Sequence, residues 1–389
     1  MRARLVLSVL MLVPCVSAAE TYLVRADGTG DFATIQAAID AAVDGDVIEL
    51  WAGVYTGAGN ENISFLDKAV TVRSHDLDAE VAVIEPSPEV NGVSFGSGEL
   101  AYITIRGGHG LQFHALEMGG TATVRGCIIR DNWSWYSPLV SAYGGTFVDC
   151  RFEDNCTNLS AFAYAVGSVI FKHCVFRENQ SKYKSVGGAV MASLGPVFED
   201  CMFEGNEAAY AGGAAFSSGG TFRRCRFIGN RAIWAGAIVA MGPTFIENCT
   251  FVDSEAAVVG SAIAASYGAV VEIVGCVITG GSILPVGIGP QGGAIHLSCS
   301  DLYGNAGGDW VGDVADQLGV DGNISADPLF CDAAAGDFTL RSDSPCLPGN
   351  HPDGADCGLI GALEQGCGVV SLEPESWARI KARFRGNAR

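Results

Sequence analysis

A chain of 389 residues, 49% hydrophobic and 17% charged, carries ample apolar material for a core, which excludes a largely disordered protein. Its 23 basic against 43 acidic residues give a net charge of −20, which argues against nucleic acid and anionic lipid as partners. That charge would also repel a polyanionic glycan unless a cation such as Ca²⁺ intervened, or it serves solubility alone.

In chain order, Met1 to about Ala19 reads as a secretory signal: Arg2 and Arg4, the apolar run Leu5 to Val13, then Val16-Ser17-Ala18-Ala19. The run is too short to span a bilayer. Cys15 raises a lipoprotein signal, but Pro14 and the following Ser-Ala-Ala favour ordinary cleavage, and no other segment reads as a transmembrane helix. Loss of residues 1–19 leaves 21 basic against 43 acidic residues. Residues 20–126 are expected to form an N-terminal cap and first coils. Tyr22-Leu23-Val24 alternates as a strand, Asp27-Gly28-Thr29-Gly30-Asp31 is turn chemistry, and Phe32 to Val43 is an amphipathic helix with Phe32, Ile35, Ile39 and Val43 on one stripe. Asp31 is placed to N-cap it. Val47-Ile48-Glu49-Leu50, Gly53-Val54-Tyr55, Ile63-Ser64-Phe65 and Val70-Thr71-Val72 follow as short strands.

Residues 127–305 repeat the phrase FxxCxFxxN followed by a Gly-rich run. Cys127, Cys150, Cys174, Cys201, Cys225, Cys249, Cys276 and Cys299 are spaced by 23, 24, 27, 24, 24, 27 and 23 residues. Cysteine and the apolar residue two positions on (Phe152, Phe176, Phe203, Phe227, Phe251) share one strand face, and Phe147, Phe171, Phe198 and Phe222, three before it, end a second strand. Asn132, Asn155, Asn179, Asn206 and Asn230, five after it, suit a bend through left-handed backbone or a turn hydrogen bond. Repeats of this length built only of short strands stack as a parallel β-helix, with a terminal helix to plug the open end. Signs alternate along Lys172, Glu199, Arg223, Glu247 and along Arg130, Glu153, Arg177, Glu204, as stacked neighbours should. The fold class is therefore all-β: a single-stranded right-handed parallel β-helix with an N-terminal capping helix and a Cys-containing C-terminal cap.

Two resemblances reinforce this. DGTGDFATIQAAIDAAVDGDVIELWAGVYT followed by ISFLDKAVTVRS resembles the amino-terminal segment of pectinesterases and other pectin-lyase-like β-helix proteins. The later pectinesterase strings, Gln-Ala-Val-Ala, Asp-Phe-Ile-Phe-Gly and Leu-Gly-Arg-Pro-Trp, do not occur, so the resemblance implies the fold and not esterase activity. The repeats, best at Cys201 to Asn206 with Gly212 to Ala214, look like polymorphic outer-membrane protein repeats, which implies secretion or display at a bacterial outer membrane. Gly108-His109-Gly110 and Arg379-Ile380-Lys381 resemble two polygalacturonase strings, but the Asn-Thr-Asp and Asp-Asp strings that supply those enzymes' carboxylates are missing.

Several residues could carry chemistry. Arg223, Arg224, Arg226 and Arg231 cluster as the base of a pectate-type, Ca²⁺-dependent lyase would, or serve the charge ladder. Nine residues after each cysteine, Tyr136, Leu159, Tyr183, Tyr210, Trp234 and Val258 form a second ladder with Trp133 and Trp135 nearby. Exposed, it would hold sugar rings or a protein; Leu159 and Val258 among its members point to burial. Lys182, Tyr183 and Lys184 sit in a 27-residue interval with about three extra residues and mark the narrowest binding target. The repeat cysteines are expected as free buried thiols. In the C-terminal coil and cap, 306–367, Asp309, Asp313, Asp316 and Asp321 are weak Ca²⁺ candidates or a solvated loop. That segment resembles the closing coil of bacterial right-handed β-helix proteins, and Cys331, Cys346, Cys357 and Cys367 suggest two disulfides with three possible pairings. The tail, 368–389, carries Trp377, Ile380 and Phe384 among basic residues and is either an attachment element or a frayed helix.

The expected protein is secreted or surface-displayed, touching extracellular polysaccharide or a cell-surface protein, structural or adhesive, with no cofactor. The alternative is a polysaccharide-degrading enzyme, pectate-lyase-like or a glycoside hydrolase, with calcium.

Overall fold

A computed structural model describes residues 18–368 apart from position 184. Most of the expected signal, the tail from position 369 with its Arg379 string, and Lys184 therefore lie outside the described residues. The chain winds into a right-handed parallel β-helix. Sheet A has twelve strands, from Thr21–Val24 to Gly293–Ser298; sheet B has eleven, from Gly53–Tyr55 to Asp301–Tyr303; sheet C has ten, from Ile63–Ser64 to Val286–Ile288. A five-stranded sheet D, His109–Gly110 to Glu207–Ala208, lies between B and C in the middle coils only. One coil reads Thr123–Arg125 in A, Ile128–Arg130 in B, Trp133–Ser134 in D and Val140–Ala142 in C, after which Gly145–Val148 re-enters A.

The aromatic offsets fill the core. Phe147, Phe171, Phe198 and Phe222 stack with centroids 4.6–4.9 Å apart, and Phe152, Phe176, Phe203, Phe227 and Phe251 at 4.5–4.8 Å, the spacing of hydrogen-bonded strands. The charge ladders form too: Lys172–Glu199 at 3.3 Å, Arg223–Glu247 at 2.9 Å, and Arg177 to both Glu153 and Glu204 at 3.7 and 2.8 Å. Arg130 turns instead to Glu80.

The corners differ from expectation by one residue. The left-handed backbone sits just before each asparagine, at Asp131, Asp154, Glu178, Gly205 and Gly229, which frees the asparagine to point inward. Each buried Asn then donates from Nδ2 to the carbonyl one coil back (Phe176 for Asn206), and from Asn132 to Asn206 also to Oδ1 of the next Asn, which accepts the backbone N–H as well. At the other corner Asp149, His173, Asp200 and Arg224 are left-handed, and the following cysteines point inward. There the Cys225 N–H donates to Cys249 Sγ at 3.4 Å and the Cys249 N–H to Cys276 Sγ at 3.3 Å. Burial pushes the Cys127 thiol up to about 12, and those of Cys150, Cys201 and Cys249 well above the ordinary value.

Three assignments need correction. Cys299 is not a rung of the thiol ladder: it occupies the left-handed position (φ 47°), Ser300 takes the inward one and receives the Cys276 N–H at 3.2 Å, and Cys299 pairs with Cys357. The second disulfide joins Cys331 to Cys367, so Cys346 is a buried free thiol rather than a bridge partner. The helix runs Ile35–Ala41, capped by Thr34; Asp31 accepts from the Leu23 N–H instead, and Val43 is exposed. Ile35, Ala38 and Ile39 do plug the core. At the other end Trp310 and Val314 join it. The chain then returns along sheet B, where Gly361 N–H meets the Gly275 carbonyl at 2.7 Å and Ala362 N–H meets Thr250 Oγ1 at 2.9 Å.

Candidate functional site

The aromatic ladder lies on the corner between sheets D and C, and it is exposed rather than buried: Tyr136 by 54%, Tyr183 by 63% and Tyr210 by 38%. Trp133, Trp135 and Trp234 are half-buried. Leu159 and Val258 are exposed as well, so their apolar character marks the outside of a ridge and not a core position. The Gly-rich runs create this. In Gly187-Gly188 and Gly212-Gly213 the first glycine takes positive φ, and a Cβ on the second would run into the next coil's backbone, Gly213 O for Gly188 and Gly236 O for Gly213. The loop therefore hugs its neighbour and turns its preceding residues outward. Beneath it Ala211, Ala235, Val239 and Ala264 form a small cluster outside the main core, against which Trp234, Val186 and Phe216 pack.

Neighbouring rings stack. Tyr210 and Trp234 lie 5.5 Å apart with planes at 28°. Trp135 and Tyr183 lie 5.9 Å apart at 30°, although Leu159 belongs to the coil between them. The extra residues of the Cys174–Cys201 interval fall in this loop, and they let Tyr183 reach back. Lys182 is exposed beside it.

At its N-terminal end the ridge runs into a groove across the first coils of sheet C. Sheet D starts only at His109, and the small cluster that packs outside sheet C involves only later coils, Ala211, Ala235, Val239 and Ala264. A depression of about 470 Å³ is lined by Glu89, Asn91, Leu111, Gln112 and Tyr136. It shares Asn91 with one of about 160 Å³ holding Asn62, His114 and Glu117. That one shares Ser94 and Glu117 with a third of about 530 Å³ bounded by Asp67 and Tyr143. Among the described residues no Lys or Arg lines any of the three. Burial pushes the His114 imidazole below its ordinary value, so it too is neutral at neutral pH; Ser141 Oγ lies 3.4 Å from its Nδ1. Apart from Tyr136, none of these groove residues was marked by a repeat offset; only their convergence in space marks them, which periodicity could not reveal.

The arginine cluster does not converge. Arg223 lies on outer sheet A, Arg224 on the corner in a two-point pair with Asp200 at 2.8 Å, Arg226 on outer sheet B, and Arg231 beyond sheet D, 2.9 Å from Glu207. The acidic loop is likewise spread. Asp309 accepts from Asn305, Asp313 from the Ile288 N–H, and among the described residues no three His, Cys, Asp or Glu side chains gather as a metal site. Asp313, Asp316 and Asp321 line a shallow cleft at the C-terminal end. No helix among the described residues is long and apolar enough to cross a membrane.

Compared with known proteins, residues 115–306 match the profile described as right handed beta helix region. No curated protein matches the sequence. Among solved structures, a rhamnogalacturonan lyase aligns over 80% of this chain and 91% of its own with 12% identity and a TM-score of 0.46. A pectate lyase aligns over 90% and 98% with 13% identity and a TM-score of 0.40.

Proposed function

We propose that this β-helix acts outside the cell as a glycan-contacting protein, with the D–C ridge and the groove that continues it as the binding surface. The observation that carries this reading is the pair of surface stacks, Trp135 with Tyr183 and Tyr210 with Trp234, with ring centroids 5.9 and 5.5 Å apart. Flat rings presented in series hold sugar rings by their apolar faces, and the amides and carboxylates of the groove supply hydroxyl partners. Two disulfides in the C-terminal region favour an oxidising compartment. Attachment at a bacterial outer membrane stays part of the proposal. Degradation of a polysaccharide is the competing reading.

The test is titration of the purified protein with neutral oligosaccharides, alongside assays for new reducing ends and unsaturated products with and without Ca²⁺. Saturable binding that falls about tenfold or more in Trp234→Ala and Tyr183→Ala, with no product, supports the proposal. Binding unchanged in both variants overturns it, and product formation lost on replacing Arg226 or Glu117 would make the enzyme reading the correct one.

A further inference from the structure

We infer that the groove at the N-terminal end of the ridge selects a glycan bearing free amino groups. This rests on the glycan-contacting reading and names its ligand class. Four acidic side chains on the outer face of sheet A are committed: Glu49, Glu99, Glu199 and Glu247 each lie within 3.3 Å of an arginine or lysine nitrogen. Glu117 stands on the outer face of sheet C in register with Ser94 and Ser141, yet among the described residues it makes no ion pair. Asp67 opens on the same depression and makes none either.

Glu89, in the adjoining depression, is held by the Leu111 N–H at 2.9 Å, which fixes one oxygen and leaves the other available. Three carboxylates thus face one continuous groove that no Lys or Arg among the described residues lines, in a protein already at −20. Such a groove lowers the energy of a protonated amine and raises that of a uronate. Tyr136 and Tyr143, one at each end, supply ring faces for the sugars carrying the amines. A sugar acid would need a bridging cation, and the described residues gather no metal site to hold one.

The experiment compares three probes on the full chain: glucosamine oligomers, their N-acetylated counterparts and oligogalacturonate, the last with and without Ca²⁺, each at low and moderate salt. Glucosamine oligomers are expected to bind at least about tenfold more tightly than the N-acetylated ones, the gap closing with salt and in the doubly neutral variant Asp67→Asn/Glu117→Gln. That variant should keep the parent's circular dichroism spectrum and thermal midpoint, which shows that it is folded. Equal binding of the two probes, or a preference that survives the double variant, overturns the inference while leaving the glycan reading standing. Tighter binding of oligogalacturonate overturns it too. No binding of any probe sinks both.

Discussion

Asp301 is a carboxyl held in surroundings that oppose its ionisation. It is fully buried beneath the C-terminal cap, accepting from the Ala326 N–H at 3.0 Å and from the Cys346 thiol at 3.4 Å. Burial raises its carboxyl from 3.8 to about 7, and the nearby Asp309 and Asp327 add to the effect. A carboxyl whose folded pKa exceeds its unfolded one binds protons in the native state that the unfolded chain has released. Its contribution to stability is therefore greatest below about pH 4 and is lost as pH rises through about 7. Asp301→Asn should flatten the stability–pH curve between those limits relative to the parent, by a few kcal/mol at most. Denaturant midpoints at several pH values read it directly; parallel curves for the two proteins would contradict the assignment. Nothing in the repeat pattern singled this residue out, because its partners come from Ala326 and Cys346, which only the folded-back cap brings to it.

At the scale of the repeat, the asparagine ladder explains both regularity and its end. Asn206 accepts from Asn179 and donates to Asn230, and the run stops where Ser254 takes the next position with a buried hydroxyl that has no hydrogen-bond partner. Restoring the amide with Ser254→Asn should raise stability by about 1 kcal/mol, whereas Asn206→Ser inside the run should cost about 2. A thermal melt that falls for the first variant would show that the corner lacks room for the amide. The coil was legible in sequence because its inward residues recur at fixed offsets, and Phe147 through Phe251 stack as that period demands. The bends were legible only approximately. Left-handed backbone falls on Asp, Glu, His, Arg and Gly alike, so no residue type announces it. Cys299 was misplaced for a related reason: a one-residue slip turns a side chain from the core to the outside, and a 23-residue interval had a precedent between Cys127 and Cys150 that keeps register.

For the whole molecule, the arrangement separates a rigid scaffold from a decorated corner. The core, the Asn and Cys ladders and the outer charge pairs are consumed by holding coils together, and each exposed pair adds less than about 1 kcal/mol. The D–C corner and outer sheet C beside it carry a different set: stacked aromatic rings, then a groove with carboxylates. Composition gave the sign of the charge but not its placement, and periodicity named Tyr136, Tyr183, Tyr210 and Trp234 but, through Leu159 and Val258, pointed the ladder inward. Their outward turn follows from glycine contacts between loops that are distant in sequence. Hydrogen exchange of the protein with and without glucosamine oligomers tests this division most directly. Binding should slow exchange in segments 109–119, 133–136, 181–186 and 209–212, with sheet B unchanged; protection confined to outer sheet B, around Arg226, would contradict it.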